Sequence, residues 1–96
     1  MPGDFSLNEK PNFKHMDTVE SLVEKYGHKI KSENTIGLGW MNGWGKDTID
    51  LHRKLFDRMD EKSYTRSGPA HNQQFEFTIT EGETVYTVRW YLDSGD

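Results

Sequence analysis

Between Ile36 and Gly45, glycines at 37, 39, 43 and 45 alternate with Trp40 and Trp44. A glycine-rich stretch ahead of a helix can cradle an anion on its backbone N–H groups. The established phosphate patterns do not fit here. A Walker A loop ending at Gly45-Lys46 needs glycine at 40 and Ser or Thr at 47, and the chain has Trp40 and Asp47. A dinucleotide fingerprint starting at Gly37 needs Gly or Ala at 42, which is Asn42. Asp47 at a helix start also repels phosphate. Two readings remain. The glycines let backbone pass close to two large indoles, or Trp40, Met41 and Trp44 form a contact surface, since Trp and Met are enriched at protein interfaces.

His52 is the second candidate. It falls within the apolar stripe of a helix, where a hydrogen-bonded core or boundary histidine is the ordinary outcome. A general base there needs a pocket and a partner within hydrogen-bond reach. His15, His28 and His71 lie in separate segments, and the chain has no cysteine. That pattern offers no metal-ligand spacing and excludes disulfides and thiol nucleophiles. No cofactor is expected. Asp57, Asp60 and Glu61 sit close together but lack the alternating oxygen ligands of a calcium loop, and read as a solvated face. Lys54, Arg58 and Lys62 form a narrow cationic stripe beside those acids, which is a mixed surface rather than a phosphate track.

The elements that position these residues follow from periodicity. Val19, Leu22, Val23 and Tyr26 have helical spacing, with Asp17 as cap, Glu20 three residues on and Gly27 as stop, which predicts a helix over about 17–27. Residues 28–31 are then placed to pair with 35–38 as a second hairpin, unless the helix continues to Ile30. Thr48, Ile49, His52, Leu55, Phe56 and Met59 share a face, which predicts a helix over about 47–62 capped by Asp47. Phe75, Phe77 and Ile79 alternate with polar residues, as do Tyr86, Val88, Trp90 and Leu92. Strands at about 73–80 and 84–92 therefore form a hairpin with one apolar face, by way of a two- or four-residue turn. Its outer face carries Gln74, Glu76, Thr78, Val85, Thr87, Arg89 and Tyr91.

An isolated hairpin is marginal in water. The reading is thus an α+β domain: an antiparallel sheet, including the C-terminal hairpin, packed against two short helices. Its expected core is Val19, Leu22, Val23, Tyr26, Leu55, Phe56, Met59, Phe75, Phe77, Ile79, Tyr86, Val88 and Trp90. With 96 residues the chain is one domain over 17–96, preceded by a flexible or extended arm over 1–16 in which Phe5, Leu7 and Phe13 are available to dock.

Mean hydropathy is -0.92, low for a folded chain. A net charge of only -4 and 12% aromatic residues nevertheless argue against disorder. The charge is uneven, since residues 67–96 hold Glu76, Glu81, Glu83, Asp93 and Asp96 against Arg89 alone. Nucleic-acid binders show the opposite bias, so no direct nucleic-acid contact is expected. No apolar run approaches membrane-spanning length, and Met1 to Phe5 lacks the start of a signal peptide, which together with the absent cysteines predicts a cytoplasmic, non-membrane protein.

Without a catalytic motif, the functional expectation is a non-catalytic interaction module of inhibitor or adaptor type. Trp40, Met41 and Trp44 anchor its partner, and Glu81 and Glu83 steer a basic surface on that protein. A homodimer through a sheet edge is the other partner reading. The alternatives are an acidic mimic of nucleic acid that blocks a basic groove, and a small ligand-binding or enzymatic domain using the Gly-Trp loop with His52.

Overall fold

The computed structural model describes residues 17–93. The 1–16 arm with Phe5, Leu7 and Phe13, and the last three residues, lie outside them. In chain order the elements are α1 (Val19–Lys25), β1 (Thr35–Trp40), α2 (Lys46–Phe56), β2 (Thr65–Ser67), β3 (Gln73–Glu81) and β4 (Thr84–Leu92). The strands form one sheet in the order β1-β4-β3-β2. The fold is α+β, with the β3-β4 hairpin packed against the helices. The hairpin turn is the two-residue loop Gly82-Glu83, so Phe77 faces Val88 and Phe75 faces Trp90.

The sheet is mixed rather than wholly antiparallel. β2 and β3 are antiparallel, as are β3 and β4, but β1 runs parallel to β4. No tight turn joins β1 to β4, because α2, β2 and β3 intervene, and a crossover of that length permits a parallel neighbour. The second hairpin expected at 28–38 is reduced to one bridge between Lys31 and Thr35. Glu33 and Asn34 take left-handed backbone there, at φ 62° and 57°.

Both helices are shorter than their periodicity implies. Thr18, not Asp17, caps α1, its hydroxyl accepting from Ser21 N at 3.1 Å. The first helical N–H belongs to Val19 and is satisfied from across the fold by the Glu81 carboxylate, at 3.1 Å to Oε2. α1 stops as expected at Gly27, with φ +83°. Gly27 N–H donates to Glu24 O and His28 N–H to Val23 O, the paired bonds of a Schellman ending.

Gly45, not Asp47, occupies the N-cap of α2, and Asp47 lies in the first turn. α2 ends at Phe56 because β3 captures the following chain. Asp60 N–H donates to Thr78 O at 2.8 Å, and the Asp60 carboxylate accepts from Thr78 Oγ1, Thr80 N and Thr80 Oγ1 at 2.8, 3.0 and 2.7 Å. Ser63 Oγ accepts from Thr78 N at 3.1 Å. This loop therefore caps the stretch of β3 edge that the short β2 leaves unpaired, a necessary defence for an exposed strand edge.

The core is Val19, Leu22, Val23, Ile36, Leu38, Leu51, Leu55, Phe75, Phe77, Ile79, Val88 and Trp90. Ile36, Leu38 and Leu51 join the expected set. Tyr26, Met59 and Tyr86 are only partly buried, and Phe56 is 43% exposed. The buried stripe of α2 is centred on Leu51 and Leu55, which leaves Ile49 on the flank at 41% exposure. No described helix is long and apolar enough to cross a membrane.

Candidate functional site

The parity of β1 should bury Trp40. Ile36 and Leu38 point into the core, and residue 40 continues that phase. The chain breaks the phase at Gly39. Gly37 lies opposite Arg89, but Trp40 lies opposite Tyr91, so three steps on β1 match two on β4. This is a β-bulge, and Gly39 supplies its left-handed residue at φ +77°. One added residue reverses every later side chain. Trp40 accordingly leaves the core side and stands 47% exposed on the sheet face opposite the buried residues. Its ring packs on Tyr91 with centroids 5.2 Å apart.

The neighbouring residues hold this corner. Asn42 clamps the end of β4: its side-chain amide donates to Asp93 O at 2.9 Å, and its carbonyl accepts from Asp93 N at 3.0 Å. Trp44 is half-buried. Its indole N–H donates to Leu38 O at 2.8 Å, and its ring lies 5.2 Å from His52 and 6.2 Å from Trp90. Met41 is partly buried against the core. Of the three residues read as an anchor, Trp40 is thus the exposed one, while Met41 and Trp44 are partly buried against the core.

The face around Trp40 is mostly polar. By register it carries Thr35, Gly37, Thr87, Tyr91, Gln74, Thr78, Thr65 and Ser67, with Arg89 opposite Glu76 near its middle. Arg89 Nε and Glu76 Oε1 are 3.1 Å apart, so the central charges cancel.

Glu81 and Glu83 sit at the hairpin turn, about 24 Å along β4 from Tyr91. They do not adjoin the Trp40 corner. Glu81 is committed to the helix layer: besides Val19 N, it faces Arg58 Nη1 at 3.9 Å. Burial, with the carboxylates of Glu81 and Glu20, pushes the Tyr86 hydroxyl up from its ordinary pKa. Glu83 is exposed.

His52 lies within an aromatic cluster, with ring centroids 4.5 Å from Trp90, 5.2 Å from Trp44, 5.8 Å from Phe56 and 6.3 Å from Phe77. Its Nε2 is buried without a hydrogen-bond partner, as is Trp90 Nε1. Burial lowers the pKa of His52. Among the described residues no carboxylate bonds to it, so nothing there orients it as a base. His28 and His71 lie in separate loops, His15 is outside the described residues, and no described group of three or more acidic or histidine side chains is placed to hold a metal.

Two features of the corner were harder to see in the sequence. Alternation put Tyr91 on the outer face, but nothing paired it with Trp40. Gly39 carried the relevant signal, since an isolated glycine in a strand pattern marks a bulge. Comparison of the chain with protein-family models, characterised proteins and solved structures returns no match.

Proposed function

We propose that this domain is a non-catalytic protein-binding module of inhibitor or adaptor type, with Trp40 as its anchor. The observation that carries the reading is the bulge at Gly39, which turns a large indole away from the core and sets it on Tyr91. Bulges recur where a strand must re-aim a functional side chain. Tryptophan is enriched among the few residues that dominate binding energy at protein interfaces. The cancelled Arg89–Glu76 pair leaves an aromatic and hydroxyl-bearing face, which favours a protein partner over mimicry of a phosphate chain. Glu83, with Glu81 behind it, gives the far end an acidic character that steers a partner with a basic surface.

The test begins with cross-linking and mass spectrometry to identify a partner, followed by titration of the purified pair. Trp40→Ala is expected to weaken binding by about 30-fold or more, the scale of a hot-spot residue. Val85→Ala is the control, because Val85 is 51% exposed at the opposite end of β4. Equal affinity of wild type and a folded Trp40→Ala variant refutes the assignment.

A further inference from the structure

The border formed by β2 and the flank of α2 carries a different surface. β2 pairs with β3 on one side only, and no other backbone hydrogen bond among the described residues reaches Thr65 to Ser67. The remaining sheet edges are partly occupied. On β1, Lys31 N–H donates to Thr35 O and the Trp44 indole to Leu38 O. On β3, Asp60 and Ser63 take the exposed groups. β2, three residues long, is therefore the sheet edge left open to another strand.

Side chains beside that edge specify what the strand should carry. Arg66 lies opposite Phe75, on the helix side of the sheet, and Tyr64 precedes it by two residues on the same side. Tyr64 is 43% exposed, with ring centroids 6.2 Å from Phe56 and 6.3 Å from Phe75. Ile49, Arg53 and Phe56 share one stripe of α2 and complete an apolar flank with a cationic fringe. Neither Arg53 nor Arg66 has an ion-pair partner among the described residues.

We infer that the β2 border binds an extended peptide segment of a partner protein by strand addition. The segment runs antiparallel to β2, with a carboxylate opposite Arg66 and an aromatic residue, two positions later, opposite Tyr64. Main-chain bonds supply affinity, and the side chains on one face supply selection. Two positions are required because alternate residues share a face. A second copy of this chain fits less well, since it brings both Arg53–Arg66 fringes to one border. This surface is independent of Trp40.

The probe is a fluorescein-labelled peptide amide, Ser-Thr-Glu-Thr-Phe-Thr-Ser, titrated by anisotropy against the full chain. Saturable binding below about 1 mM is expected. Arg66→Glu should weaken it about fivefold, and replacing the peptide's Glu with Lys should restore binding to that variant. A peptide with Glu and Phe adjacent should bind about as weakly, because its two side chains fall on opposite faces. Trp40→Ala should leave the titration unchanged, which separates this inference from the anchor reading. Failure to saturate, absence of charge-swap rescue, equal binding of the two peptides, or self-association abolished by Arg66→Glu overturns the inference.

Discussion

Alanine substitutions at Gly39 and Gly37 isolate the conformational cost of turning Trp40 outward. Both glycines lie in β1, and a Cβ added at either would meet no atom within 4 Å. Neither variant creates a clash, so their difference is conformational. Gly37 has ordinary strand backbone, where alanine restricts the unfolded chain and should stabilise by about 0.4–1 kcal/mol. Gly39 sits at φ +77°, where alanine gains the same restriction but carries a left-handed penalty of about 1–2 kcal/mol. Gly39→Ala should therefore be less stable than Gly37→Ala by about 1–2 kcal/mol. For a domain of this size that separates their melting midpoints by about 4–16 °C. Urea and thermal melts followed by far-UV circular dichroism supply the comparison, with equal m-values required before midpoints are converted. Acrylamide quenching reports Trp40 alongside, because Trp90 is 2% exposed and Trp44 is half-buried. If Gly39→Ala is as stable as Gly37→Ala, residue 39 is not left-handed and the bulge does not account for the indole's position.

The position of the α2 stripe makes Leu51→Ala cost about 2–5 kcal/mol, whereas Ile49→Ala should stay within about 0.5 kcal/mol of wild type; denaturant melts that reverse this order place the wrong face of α2 on the sheet. Burial lowers the folded-state pKa of His52, so its contribution to stability is complete above 6.5 and is lost as pH falls from there through the lower folded value; His52→Phe should flatten this part of the pH–stability curve. The hydrogen bonds from Thr80 and Thr78 hold the Asp60 carboxyl below its usual range, so its contribution is present above 3.8 and disappears as pH falls further, a window separate from that of His52. Asp60→Ala should cost about 1–3 kcal/mol at neutral pH by leaving the β3 edge uncapped, and hydrogen exchange should quicken at Thr78 and Thr80.

Local patterning carried the hairpin and the first helix, because their signals lie within a few residues. Alternation through Phe75, Phe77 and Ile79, and through Tyr86, Val88 and Trp90, identifies one buried face whatever covers it. Gly27 ends α1 where its spacing to Val23 and Glu24 permits the paired terminal bonds. The misplaced features depend on distant residues. Glu81 reads as a surface acid, yet 62 positions away Val19 presents it with an unpaired helical N–H. The apolar wheel of α2 runs on to Met59, but the turn at Asp60 is decided by Thr78 and Thr80. Ile49, His52 and Phe56 form a stripe as regular as the one through Leu51 and Leu55. The sheet and α1, rather than periodicity, decide between those two faces.

Small domains cover their sheets thinly, since burial rises with chain length. α1 spans seven residues and α2 eleven, so large apolar side chains are bound to surface at the borders. Exposure alone therefore does not distinguish Trp40 from Ile49, Phe56, Tyr64 or Val85. The distinction lies in what holds each one there. Ile49 and Phe56 are exposed because their helix buries its other side. Tyr64 lies beyond the last well-covered strand. Trp40 is exposed against its own strand phase, through an inserted residue in left-handed backbone, with Asn42 hydrogen-bonded to Asp93 just past β4 and Trp44 to Leu38 of β1 itself. A mere shortage of cover would leave the phase of β1 intact and Trp40 directed inward. The bulge makes the outward indole a specified feature of this fold, which is why the proposed binding role rests on Trp40 before any other exposed ring.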